Sequence, residues 1–513
     1  MPLGVGTPVL QSPRTIWWET FLLFGPVAAL VLFRYRVLAG AGAPSTIDAG
    51  NWLNFADSLL GNNRSLSLAG YPPVVPAVTG VLVALLGAVR GVALMGALCS
   101  AAPALGMHRA LGMAGLKAER LIPALLVLGS GSIGEAAAWG GFPQLLGIGL
   151  MPIVFMAAIS AFETPGRAAG IKLGLLMMGS FAISHFVSAV TVVIVGLMLV
   201  SVAVRNWNPT WRRDVMAIAP LMILPSVWLV PLYLKLTHAI VVNPVEFSAL
   251  NDLTWRSGFA RLNGLNDGFG ALWRVLIPLT VLTPAMTWSI RRKSVWLLST
   301  SLLVVTVALL LITREARFLY LVPLAVAAGV ATWLNYLKTL RLWLMESRRV
   351  DAVRAGLGIL VGAVLAAQLL VGLGIFQRQR DFYGVLTPGI VAAIEAADAD
   401  TDGDQVIAVP SLNDVPAGWW VEGLTDAEVV YGSPLRWLNF ADEVKRAQVA
   451  NSIFDPAFPD DATLAELKVA SVGVVILPRR WRWFDDDLVD EWIRRNELVV
   501  LERNIDALAI KVS

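Results

Sequence analysis

A single cysteine, Cys99, stands among 513 residues and lies in an apolar stretch, so no intrachain disulfide can form. Charge is equally scarce. Asp, Glu, Lys and Arg make up 15% of the chain against 57% apolar residues, with a mean hydropathy of +0.68. A soluble domain cannot hide that much apolar surface. No internal repeat divides the chain into two related halves, the arrangement on which many transporters are built. From about residue 378 onward there is no GxxxxGK[ST], no GxGxxG between a strand and a helix, no HExxH and no CxxC. That segment therefore offers none of the familiar phosphate-cradling, zinc or dithiol centres, and the chemistry is expected upstream of it.

What is present is a series of apolar runs long enough for a helix to cross a hydrocarbon core, roughly 17 to 25 residues each. They fall near 16–33, 91–107, 120–133, 142–162, 171–186, 187–204, 214–234, 273–290, 294–312, 318–337 and 355–376, which predicts about eleven spans. The run at 74–89 is ambiguous, because Pro72, Pro73 and Pro76 and its modest length suit a re-entrant or interfacial segment as well as a crossing. The motif AGA at 41–43 looks like a signal-peptide cleavage site, but Arg34 and Arg36 stand between it and the apolar run. Segment 16–33 is therefore read as a retained first span.

Lys and Arg placement sets the orientation. With a cytosolic N-terminus and no crossing at 74–89, most basic residues fall on short inner loops, among them Arg109, Lys117, Arg120, Arg205, Arg212, Arg213 and the run Arg291, Arg292, Lys293. Outer segments, longer in total, hold fewer, including Arg34, Arg36, Arg314 and Arg317. The net charge of +3 and pI near 9.0 reflect these loops and imply contact with an anionic leaflet, not with nucleic acid. The expected architecture is an α-helical polytopic plasma-membrane protein, residues 1–377, with a first outer loop at about 34–90, followed by an extracytoplasmic α/β domain at 378–513. In the latter, strands are predicted at 405–409, 427–431, 473–477, 498–502 and 507–511, with helices at 389–397, 440–452, 462–470 and 486–496.

Under this topology ionisable residues gather at the outer face, and such groups at membrane depth point to function. Asp48 and Asp57 lie in the first loop, Glu135 in GEAAAWGGFPQLLG (134–147), His185 in SHFVSA (184–189), and Arg314, Glu315 and Arg317 in TREARFLYLVP (313–323). Each also has a structural explanation. Asp48 has the residue type and position to cap a helix starting at Ala49. Asp57 fits a solvated face, Glu135 an interfacial carboxylate beside Trp139, and His185 a bond to a loop carbonyl. Arg314 and Arg317 can snorkel to headgroups. Trp419 and Trp420 read either as a sugar-stacking surface or as side chains divided between core and membrane-facing surface, and RRWRWF (479–484) reads as a headgroup-resting segment.

An Asp in the first outer loop, an aromatic four residues on at Trp52, a small residue four further at Ala56, and then YPP entering an apolar segment resemble the GT-C superfamily of polyprenyl-phosphate-sugar-dependent glycosyltransferases. The segments WGGFPQLLG (139–147), SHFVSA, REARFLYLVP, AGWWVEGL (417–424) and GSPLRWLNFADE (432–443) are similar to a poorly characterised bacterial and archaeal branch of it, in order along nearly the whole chain. The resemblance implies that Asp48 is the general base, taking a proton from an acceptor hydroxyl that attacks the anomeric carbon of a lipid-phosphate sugar with inversion. It implies that Arg314 or Arg317 meets the leaving phosphate, that Glu135 or His185 orients acceptor, phosphate or metal, and that Trp52, Trp419 and Trp420 can touch sugar. A divalent metal, Mg or Mn, is allowed by the resemblance, although the loop of Glu135 holds no adjacent Asp or His. The expected partners are a polyprenyl-phosphate sugar donor, membrane lipids, and a glycan, lipid or protein acceptor. Two other classes compete: a flippase for a lipid-linked saccharide, and a non-catalytic glycan-binding relative.

Overall fold

Backbone amides in a bilayer find no water, so an apolar segment must satisfy its own hydrogen bonds as a helix. Most of the described residues in the chain's first three quarters do so. The computed structural model describes residues 13–40, 48–59, 71–227, 229–231, 234, 272–287, 293–312, 316–344, 350–401, 405–411, 417–435, 438, 440–455, 458–460, 462–479 and 484–512. The membrane part comprises α1 (Pro13–Leu38), α2 (Ala49–Leu59), α3 (Val74–Leu86), α4 (Ala88–Met113), α5 (Leu121–Leu128), α6 (Gly131–Trp139) and α7 (Phe142–Glu163). It continues with α8 (Arg167–Ile183), α9 (His185–Asn206), α10 (Pro209–Val227), α11 (Trp273–Met286), α12 (Lys293–Ile312), α13 (Val322–Leu344) and α14 (Val350–Phe382), with a 3₁₀ segment Ala316–Leu321 ahead of α13.

The expected apolar runs overlap these helices, although the run at 120–133 is divided between α5 and α6, and residues 228, 232–233 and 288–290 of two further runs lie outside the described residues. Among the described residues, six helices are long and apolar enough to cross a membrane, and a seventh crossing arises if α5 and α6, bent by 46° at their junction, count as one broken span. The chain is a multi-pass membrane protein. The ambiguous run at 74–89 forms α3, whose 13 residues reach about 20 Å, short of a hydrocarbon core of about 30 Å. Gly87, at φ +81°, turns it directly back into α4. The hairpin is tight, since a Cβ on Gly91 would come within 2.6 Å of Val83 N.

Arg34 departs from the sequence expectation. Assigned to the first outer loop, it lies instead within α1 and is 0% exposed. Its guanidinium donates to Ser100 O at 3.3 Å and Leu128 O at 3.4 Å and lies 5.3 Å from the centre of the Phe376 ring. Leu128 ends α5, and a cation is favoured at the unsatisfied carbonyls of a helix C-terminus. Arg34 thus ties α1 to the break between α5 and α6.

Beyond α14 follow α15 (Pro388–Asp400), β1 (Val406–Val409), α16 (Gly418–Leu424), β2 (Glu428–Tyr431), α17 (Ala441–Ile453), α18 (Thr463–Val469), β3 (Val472–Pro478), α19 (Asp486–Arg495), β4 (Val499–Arg503) and β5 (Ala507–Lys511). The strands make one sheet in the order β2-β1-β3-β5-β4, parallel across β2, β1 and β3 and antiparallel across β3, β5 and β4. All five predicted strands and all four predicted helices are found, while α16 was not foreseen. Alternation along the strands divides the core. Ile407, Val409, Val474 and Ile476 face α15 and α16 and join the core of the membrane helices, whereas Val406, Ala408, Val475 and Leu477 face α17, α18 and α19. Most of the segment read as headgroup-resting, residues 480–483, lies outside the described residues.

The seam between the two parts is a backbone contact between α2 and α16. A Cβ on Gly50 would lie 2.4 Å from the carbonyl of Trp419, and one on Gly423 would lie 2.7 Å from Gly50 O. Next to this seam Arg446 pairs with Glu422 at 2.5 Å, donates to Val429 O, and lies 5.2 Å from the Tyr431 ring centre. Glu443, buried beside Glu422, is pushed up to about 7 by burial and by that neighbouring carboxylate.

The folded protein holds the Glu443 proton more tightly than the unfolded chain does. Its contribution to stability is therefore complete below its ordinary value of 4.5 and is lost as pH rises through about 7. Thermal melting of the detergent-solubilised protein is expected to fall across that window, and Glu443→Gln is expected to flatten the pH dependence there.

Candidate active site

Asp48 immediately precedes α2 and is clamped through its backbone. Its N–H donates to Trp139 O at 3.0 Å, and its carbonyl accepts from Trp52 N–H at 3.3 Å. Trp52 reaches the same turn with its side chain, the indole N–H donating to Gly140 O at 2.7 Å. Gly140 closes α6 in a left-handed conformation, φ +102°, and a Cβ there would come within 2.8 Å of Asp48 Cβ. Only glycine satisfies both the dihedral angle and the approach.

From this clamp a ring of contacts closes on itself. The Trp139 indole N–H donates to the Tyr320 hydroxyl at 2.8 Å. Tyr320 lies in the 3₁₀ segment Ala316–Leu321, whose Phe318 stacks on Phe186 with centroids 4.9 Å apart. Phe186 follows His185 at the start of α9, and the His185 ring meets Tyr71 edge-on at 5.7 Å. Tyr71 packs on Phe55 at 4.6 Å and Trp52 at 5.4 Å, which returns the circuit to α2. Serine hydroxyls fix the break before α9: Ser184 Oγ accepts from Val187 N, and Ser180 and Ser188 hydroxyls lie 3.2 Å apart.

The structure therefore brings Asp48, Trp52 and His185 to one neighbourhood. Arg314 lies outside the described residues, as does the side chain of Arg317, whose backbone belongs to the same 3₁₀ segment as Tyr320. Glu135 sits four residues before Trp139 on α6 and accepts a hydrogen bond from the Tyr383 hydroxyl at 2.8 Å. Burial, then the Glu135 carboxylate, hold the Tyr383 phenol above its usual range, so it stays a donor at neutral pH. Among the described residues no group of three or more His, Cys, Asp or Glu side chains is placed to hold a metal ion. Asp57, expected on a solvated face, is half-buried, and its carboxyl is raised first by burial and then by Asp426 across the seam.

Trp419 and Trp420 call for a correction. They are 6% and 0% exposed, and the Trp419 indole N–H donates to the Tyr431 hydroxyl at 3.2 Å. Both rings fill the core behind the α2 seam, so they offer sugar no open face. The physical cause is α16 itself, a short helix that presses their backbone against Gly50. Tyr71, Trp139 and Tyr320 were quoted in motifs without a role. The signal that marks Tyr71 and Trp139 is an aromatic beside Pro or Gly-Gly, in YPP and WGGFP, while Tyr320 stands three residues before Pro323 in FLYLVP.

No protein-family model and no curated protein matches the chain. Solved structures do. ArnT from Cupriavidus metallidurans in the apo state superposes with a TM-score of 0.59 at 15% identity, covering 98% of this chain and 99% of ArnT. The chain has the ArnT fold. ArnT bound to undecaprenyl phosphate superposes with a TM-score of 0.56 at 14% identity, covering 96% of this chain and 98% of ArnT. The likeness to ArnT thus runs through the membrane helices and the C-terminal sheet alike.

Gly140→Ala forces a Cβ against Asp48 in a dihedral region that disfavours alanine. The expected loss of stability is about 1–3 kcal/mol, measured as a lowered melting temperature in detergent.

Proposed function

We propose that this chain is an integral-membrane glycosyltransferase that moves a sugar from a polyprenyl-phosphate donor to a cell-envelope glycan, glycolipid or protein at the outer membrane face. The observation that carries the proposal is the position of Asp48. It is clamped by the Trp139–Gly140 turn, and that turn is hydrogen-bonded to the 3₁₀ segment that includes Arg317. The ArnT fold, seen in complex with undecaprenyl phosphate, and the sequence resemblance to polyprenyl-phosphate-sugar-dependent enzymes support the same chemistry.

In this reading the Asp48 carboxylate takes the proton of an acceptor hydroxyl as its oxygen attacks the anomeric carbon. The bond from that carbon to the phosphate oxygen breaks with inversion, and the polyprenyl phosphate leaves with the electron pair. A guanidinium meets two phosphate oxygens with paired hydrogen bonds, the role given to Arg314 or Arg317. His185 and Glu135 orient acceptor or phosphate. The circuit of Trp52, Tyr71, Trp139 and Tyr320 holds the base still, which a reaction dependent on alignment requires. The C-terminal domain, on the same side of the membrane, covers α2.

The test is transfer from a panel of radiolabelled polyprenyl-phosphate sugars by the purified protein in lipid with a cell-envelope acceptor extract. Asp48→Asn is expected to lower transfer by about 10²–10⁴-fold, the usual worth of a general base, while donor binding stays unchanged. Donor binding with no transfer from any donor would overturn the proposal in favour of a non-catalytic binder.

A further inference from the structure

The end of α9 opposite His185 carries a cavity that the proposed chemistry leaves unused. It has a volume of about 530 Å³ and is lined by Trp207, Asn208, Pro209, Arg212, Arg213 and Met216. Helix α9 has 22 residues, a length of about 33 Å, which is one hydrocarbon thickness. The cavity therefore sits at the membrane interface opposite to the candidate active site.

Its floor is rigid. The Trp211 side chain is buried, and its indole N–H donates to Phe162 O at 2.7 Å, fixing the start of α10 to the end of α7. Asn208 Oδ1 accepts from Trp211 N at 2.8 Å and caps α10. Its rim is cationic and aromatic. The Arg212 guanidinium lies 5.9 Å from the Trp207 ring centre. The Arg213 side chain is 79% exposed, with Nε 3.5 Å from Oδ1 of its neighbour Asp214. Trp207 itself is 65% exposed, an orientation suited to the headgroup level.

The cavity also continues an apolar track. Val193, Leu197, Val200 and Val204 are exposed along α9 at helical spacing, and the stripe runs into Trp207 three residues later, with exposed Met216 facing it from α10. Two guanidiniums at one end of a lipid-facing stripe match an anionic head carried on acyl chains.

We infer that this cavity binds the phosphate headgroup of an anionic phospholipid, with Arg212 and Arg213 on the phosphate, Trp207 at the glycerol level and the acyl chains on the stripe ending at Val204. A soluble phosphate would use the guanidiniums but not the stripe, which is why the lipid is the assigned ligand.

The experiment is native mass spectrometry of the full-length protein in neutral detergent. Phosphatidylglycerol, phosphatidylcholine of the same chains, and free glycerol phosphate serve as probes. Wild type is expected to retain phosphatidylglycerol about tenfold better than the R212Q/R213Q variant, with R212K/R213K between them. Phosphatidylcholine, whose choline cation offsets its phosphate beside the guanidiniums, should be retained less well than phosphatidylglycerol by wild type, and glycerol phosphate should not compete. Equal phosphatidylglycerol retention in wild type and the glutamine pair would overturn the site. Competition by glycerol phosphate at the phosphatidylglycerol concentration would overturn the lipid assignment. Should the glutamine pair not elute as a folded protein, Trp207→Ala carries the same test: reduced phosphatidylglycerol retention is expected, and unchanged retention overturns the inference.

Discussion

The arrangement depends on how closely α2 is held. This short helix is approached by backbone on two sides, by the Trp139–Gly140 turn near Asp48 and by α16 at Gly50. Neither approach tolerates a side chain, and both are sealed by buried aromatic rings. Interiors packed to that density have few intermediate positions available. A carboxylate on a backbone fixed in this way has its Cα held from both sides. The circuit through Tyr320, Phe318, Phe186, His185 and Tyr71 extends the same constraint to three further elements.

Arg34 plays the corresponding part inside the membrane region. A buried guanidinium without a carboxylate is costly unless its donors are used, and here two of them reach backbone carbonyls on α4 and α5. The bend between α5 and α6 leaves carbonyls without helical partners, and the cation uses one of them. The bend in turn aims α6, and with it Glu135 and Trp139, toward the first loop.

Much of this was legible in the sequence, because helix formation in lipid and alternation in a sheet follow from composition and periodicity. Helices overlap the apolar runs, and the five strands lie at the expected places. What was not legible depends on contacts between distant segments. Nothing local distinguishes Arg34 in a helix from an arginine in the adjoining loop, since the deciding partners are 66 and 94 residues away. The choice between sugar surface and core for Trp419 and Trp420 stayed open in the sequence because the glycines that bring α16 against α2 are ordinary in isolation. Asp48 was recognisable from its position, but the glycine that clamps it lies 92 residues on, in a motif noted for other reasons.

The seam of Gly50 and Gly423 has an evolutionary consequence. Two backbones that touch without intervening side chains cannot drift independently, because a larger residue on either side needs a matching retreat on the other. The membrane half and the sheet half are therefore inherited as a matched pair. A chimera that joined the helices of one such protein to the sheet of another would meet its first incompatibility at Gly50 and Gly423, the former two residues from Asp48.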